Sequence, residues 1–159
     1  MKDKEEYDTI LTNAYRRMHR YTCAEASLQC LLEIWDLPND VLSWATAGYM
    51  GAIASGTTTC GLLIGSSIAI GYRCGQGLDS IPEKNAKGRG KAIKAVKSLY
   101  KEFLKEFNET ECKKLTKYNL GNPDEAVEYA QKKAYKSTCD IFLKFVMNKC
   151  NEMVENGKI

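Results

Sequence analysis

Apolar residues recur along this chain at steps of three and four, the interval that lines one face of an α-helix. From about Lys4 to Tyr21, the residues Tyr7, Ile10, Leu11, Ala14, Tyr15 and Met18 make one stripe. Arg16, Arg17 and Arg20 gather near its end, where cations suit the helix dipole. His19, the only histidine, reads there as a solvated helix-end residue. Thr22 followed by Glu25 is a capping box, so a second helix starts at Cys23 and runs to about Trp35. Leu37-Pro38-Asn39-Asp40 ends it and starts a third, from about Val41 to Ala47. Another helix follows from Cys60 to about Tyr72. Ile93, Val96, Leu99, Tyr100, Phe103, Leu104 and Phe107 predict a strong helix from about Lys91 to Phe107. Asn122, Pro123 and Asp124 read as cap and first turn of the last helix. It carries Cys139, Phe142, Leu143, Val146, Met147, Cys150 and Val154 on an inward face, with Gly157 past its end. No segment alternates as a strand. The predicted fold class is all-α: one compact helical bundle of about five to seven helices over residues 1–159.

One stretch departs from this pattern. Gly48 to Gly71 holds six glycines and no charge. Thr58 or Thr59 can cap the helix that follows, which places Cys60 in its first turn. Free backbone N–H groups and the positive end of the dipole favour thiolate there. Gly61 and Gly65 lie one turn apart, with Ala69 beyond, and form a small face that lets another backbone come close. That face serves either packing within the chain or a homodimer seam. The uncharged run extends from Val41 to Tyr72. The polar segment SGTTT divides it into pieces shorter than the ~18 to 20 apolar residues of a membrane span, so no membrane is expected. Between about Asp79 and Gly90 a basic loop contains a GxG that follows no strand, which argues against phosphate binding.

Charge and composition narrow the function. The net charge is +3, with both signs interleaved, a poor match to nucleic acid. The N-terminal Met-Lys-Asp-Lys-Glu-Glu has no apolar leader, which predicts a cytoplasmic protein with reduced thiols. Seven cysteines then point to metal or redox chemistry more than to staples. There is no CxxC, no CxxCH and no Cys/His cluster, so a site has to be assembled by packing. Cys23 and Cys60 both fall at helix starts. Thr110 can cap a short helix that puts Cys112 in its first turn. Cys30 reads as packing beside Leu31 and Ile34, and Cys74 as a loop cysteine at a helix exit.

The order of these cysteines resembles the four-cysteine redox-active proteins denoted C_GCAxxG_C_C. Their CGAxxG segment is similar to Cys60-Gly61-Leu62-Leu63-Ile64-Gly65, with Leu62 where the family usually has alanine. Their upstream CAEA-like segment is similar to Cys23-Ala24-Glu25-Ala26, and the downstream cysteines resemble Cys112 and Cys139. Cys30, Cys74 and Cys150 are additional. The resemblance implies an all-helical fold, a redox role, and Cys23, Cys60, Cys112 and Cys139 as the site. It extends to a domain of split-Soret cytochromes in which such cysteines are taken to hold iron–sulfur, although the haem part has no counterpart here.

Three readings follow. In the first, the four cysteines are thiolate ligands of an iron–sulfur cluster, or of zinc, in an electron-transfer protein with a redox partner protein. In the second, no metal is bound, and Cys60 or Cys23 is the attacking thiolate of a thiol–disulfide enzyme. The third is a helical scaffold with buried cysteines.

Overall fold

The computed structural model describes residues 2–39, 42–78 and 84–159. Among them are eight α-helices and no β-strand. They are α1 (Lys4–Arg20), α2 (Cys23–Ile34), α3 (Tyr49–Ala54), α4 (Gly61–Gly75), α5 (Ala86–Phe107), α6 (Cys112–Thr116), α7 (Pro123–Gln131) and α8 (Cys139–Glu155). Turns of 3-10 helix stand at Leu42–Ala45 and Ala134–Ser137. The fold is all-α, as the periodicity predicts, with one helix more than the expected range. The surplus comes from α3, inside the glycine stretch, and from division of the expected last helix into α7 and α8.

Helices α2 and α4 form the central pair. Helix α1 covers α2, and α5 and α8 pack on α4. Leu28, Leu31 and Leu32 of α2 meet Leu62, Leu63 and Ile70 of α4 in one core, all fully buried. Each such side chain contributes about 1.5–3 kcal/mol by leaving water. The backbones come close because α4 has no Cβ at two positions. A Cβ on Gly65 would lie 2.1 Å from the Ala24 carbonyl oxygen and 2.3 Å from Ser27 Oγ. The small face predicted at Gly61 and Gly65 is therefore occupied by α2 of the same chain. A second apolar cluster joins α5 to α8. All four phenylalanines meet there: Phe103 and Phe107 are tilted against each other and both meet Phe142 and Phe145 edge to face, with centroids 4.7–6.0 Å apart.

Several boundaries differ from the periodic reading. The third helix is a 3-10 turn, and its predicted start at Val41 lies outside the described residues. Of the predicted basic loop, Asp79–Glu83 also lies outside them, while Ala86–Gly90 is the first part of α5. A Cβ on Gly88 would stand 2.4 Å from Leu78 Cδ1 and 3.2 Å from the Cys74 carbonyl oxygen. This glycine serves helix packing, not a phosphate loop. Ile93 and Leu104 of the α5 stripe are exposed, leaving Ala95, Leu99 and Phe103 as its buried line. Helix α7 buries no residue and packs on the 3-10 turn after it, so α8, not the helix starting near Asp124, closes the core. Among the described residues, no helix is long and apolar enough to cross a membrane.

Candidate four-cysteine centre

Four cysteines stand at four helix starts. Cys23 is the first residue of α2, behind a complete capping box: the Glu25 N–H donates to Thr22 Oγ1 and the Thr22 N–H to the Glu25 carboxylate, both at 3.1 Å. Cys112 is the first residue of α6, although its cap position is Glu111 and Thr110 makes no side-chain cap. Cys139 is the first residue of α8. The periodic reading placed it inside a helix, but the chain breaks ahead of it. Lys133 takes a left-handed φ of 51°, and a 3-10 turn follows.

Cys60 differs from the other three. It is the residue before α4, in the position of the cap itself, and neither Thr58 nor Thr59 caps the helix. Both threonines are engaged elsewhere. Thr59 pairs with Glu111 in an isolated antiparallel bridge, in which the Cys60 N–H donates to the Thr110 carbonyl at 2.7 Å and the Cys112 N–H to the Thr58 carbonyl at 2.8 Å. Tyr49 of α3 braces the same strand-like piece. Its hydroxyl donates to the Thr59 carbonyl at 2.5 Å and lies 2.6 Å from Thr58 Oγ1. The bridge thus fixes Cys60 beside Cys112. On the other side, a Cβ on Gly61 would lie 2.3 Å from Cys23 Sγ, so Cys23 sits directly over the start of α4.

The four thiols form one electrostatic group. Burial is the largest influence on Cys23, Cys60, Cys112 and Cys139, and it holds each thiol in its neutral form. Each of the six pairs among them is close enough for one thiolate to disfavour the next. Cys112, the least enclosed, is pushed up to about 11. At three of the four sulfurs, nearby hydrogen-bond donors oppose burial. The Ala24 N–H favours a thiolate at Cys23. The Leu62 N–H does so at Cys60 without forming a full cap hydrogen bond. Tyr129, whose hydroxyl lies 2.9 Å from Cys139 Sγ, does so at Cys139. No lysine or arginine is among the main influences on these four. At Cys74, by contrast, Lys91 and Arg73 pull the thiol down against burial.

The remaining cysteines are elsewhere. Cys30 and Cys150 are fully buried in helix interiors and neighbour each other. Cys74 lies in the last turn of α4, not in the loop beyond it. All seven cysteines are free. Tyr49 and Tyr129 had no local signature by which sequence alone could place them at the site. His19 is exposed in the last turn of α1, as expected, and there its Nε2 pairs with Asp140 at 3.0 Å and its ring packs on Tyr135.

The sequence profile of the family described as putative redox-active protein (C_GCAxxG_C_C) matches residues 21–153. The chain belongs to that C_GCAxxG_C_C family. No curated protein and no solved structure matches it significantly. In the family's terms, the matched region contains all four helix-start cysteines together with Cys30, Cys74 and Cys150.

The donor set suits a thiophilic metal: four sulfurs, with backbone N–H groups facing two of them and a phenol facing a third. The sulfurs are neighbours without meeting at a point. Among the described residues, no group of three or more cysteine, histidine or acidic side chains stands close enough together to hold an ion. The arrangement is that of four protonated thiols, and ligation requires the side chains to close on the metal.

Proposed function

We propose that Cys23, Cys60, Cys112 and Cys139 act as one centre of four sulfur ligands in an electron-transfer protein. The observation that carries this reading is the charge environment of the cluster. Four thiols buried together, with their own mutual repulsion and no principal cationic side chain, do not ionise readily. A bound cation reverses that preference by deprotonating the thiols it coordinates. An iron–sulfur cluster held there would supply one-electron chemistry. The chain's own part is positional. The bridge at Thr59 and Glu111 sets Cys60 and Cys112, the capping box sets Cys23, and Tyr129 orients the Cys139 sulfur.

The open spacing of the sulfurs favours a second reading, thiol–disulfide exchange. Cys23, over the start of α4, would then pair with Cys60, two thiols giving up two protons and two electrons to an external disulfide. Anaerobic purification, followed by an absorbance spectrum and iron, zinc and sulfide analysis of one sample, separates the two. Visible charge-transfer bands with iron and sulfide are the expected result. A colourless, metal-free protein that stays so after reconstitution rejects the metal reading and leaves the dithiol.

A further inference from the structure

A cavity of about 300 Å³ lies against the centre, between the end of α1, the start of α2, α3, α7 and the start of α8. Cys23 and Cys139 both line it. Its volume is at the small end of the range for ligand sites, roughly 300–1,000 Å³. Most of the rest of its wall is apolar, including Met18, Met50 and Ile53, or aromatic. His19, Tyr135 and Tyr129 follow one another along it, the first pair tilted and the second edge to face, with successive centroids 4.1 and 6.2 Å apart.

Charge decides what can enter. Among the described residues, no lysine, arginine, aspartate or glutamate lines the cavity. The imidazole of His19 is held by Asp140. A phosphate or carboxylate would find no fixed cation, which argues against flavin and nicotinamide nucleotides. Hydrogen-bond donors are present instead in the lining residues Tyr21 and Tyr135, while the Tyr129 hydroxyl is engaged by the Cys139 sulfur. These groups suit an uncharged ring that bears carbonyl acceptors. We propose that this cavity binds a small quinone-class molecule beside the sulfurs of Cys23 and Cys139. The site deepens the redox reading above and rests on it for its purpose, but the binding can be measured apart from it.

The test uses duroquinone, whose four non-carbonyl ring carbons are all methylated, leaving no open position for thiol addition. Its binding to the full chain, purified anaerobically, is followed by calorimetry and by NMR shifts of the cavity residues, with iron and free thiols counted in the same sample. Saturable binding with shifts at Tyr129, Tyr135 and Ile53 is expected. Ala126→Phe, which fills the cavity from α7, should weaken it at least tenfold. Met50→Glu puts a charge at a half-exposed position of the wall and carries little folding risk, and it should weaken binding several-fold. Both variants should keep the wild-type metal and thiol content. Absence of saturable binding in a sample with intact centre overturns the proposal, as does binding that neither variant changes. Variant-sensitive binding to a protein that stays metal-free after reconstitution upholds the cavity and rejects the metal reading alone.

Discussion

The chain contains two groups of cysteines in contrasting settings. Cys23, Cys60, Cys112 and Cys139 stand where helices begin, beside backbone N–H groups that have no partner within the helix. Cys30 and Cys150 stand in the middle of α2 and α8, where every neighbouring backbone group is already used. Both are fully buried, and Cys30 is pushed up to about 12 by that burial. At Cys150 the Ser66 hydroxyl favours a charged sulfur, and burial outweighs it. Burial alone therefore does not mark a functional cysteine. On the reading proposed above, position along the helix does, because it determines whether a thiolate would have free backbone donors.

The sharpest way to break this comparison is substitution at each sulfur. Cys→Ser at Cys23, Cys60, Cys112 or Cys139 should abolish metal retention, measured by iron and zinc content after desalting. Cys30→Ala and Cys150→Ala should keep the metal and cost about 1–2 kcal/mol of stability. Loss of metal in Cys150→Ala with metal retained in Cys112→Ser would reverse the two groups.

The next effect is mechanical. Gly65→Ala drives a methyl into the Ala24 carbonyl and should cost about 3 kcal/mol, read as a lower urea midpoint. Gly61→Ala meets the Cys23 sulfur instead, so its signature should be lost metal or altered thiol reactivity more than lost stability.

Stability of the metal-free protein should fall as pH rises from about 9 to about 11. The Cys112 thiol ionises near 9 in the unfolded chain and near 11 in the folded one, so the folded state holds the extra proton. Its contribution is complete below the lower value and lost through the upper one. Chemical denaturation at stepped pH, with and without metal, checks this. Metal should remove the fall above about 9, because ligated sulfurs carry no proton for the folded state to lose there.

The smallest effects concern the supports. Thr22→Ala removes the capping box and should cost about 1 kcal/mol, a drop in thermal midpoint without loss of the centre. Tyr129→Phe should cost no more than about 1 kcal/mol and make Cys139 slower toward a thiol reagent at pH 8, since the phenol favours its thiolate.

Much of this arrangement is legible in the sequence where side chains act on their own neighbours. The Thr22/Glu25 box and the Asn122 cap with Pro123 need only local chemistry, and both helices begin where those residues predict. The α1 stripe is buried at Ile10, Leu11, Ala14 and Met18. The chain is less readable where a distant partner decides. Thr59 fails to cap α4 because Glu111 pairs with it. Cys139 looks like a mid-helix residue because the apolar interval continues through it. The break at Lys133 uses a left-handed conformation without a glycine to announce it. The convergence of four dispersed cysteines is likewise a product of packing, which their spacing does not encode.

The bridge between Thr59 and Glu111 has a consequence for how the protein is made. It joins residues on either side of α4 and α5, so its formation closes a long loop whose entropic cost only the packed helices offset. Contacts of such range form late. During synthesis Cys23 and Cys60 leave the ribosome well before Cys112, and Cys139 follows after α7. A nascent chain therefore exposes an incomplete set of thiols for as long as α8 is still being made. If the four sulfurs hold a metal, its loading waits until that helix has emerged and docked, and a stalled or truncated chain lacking α8 would present unguarded sulfur.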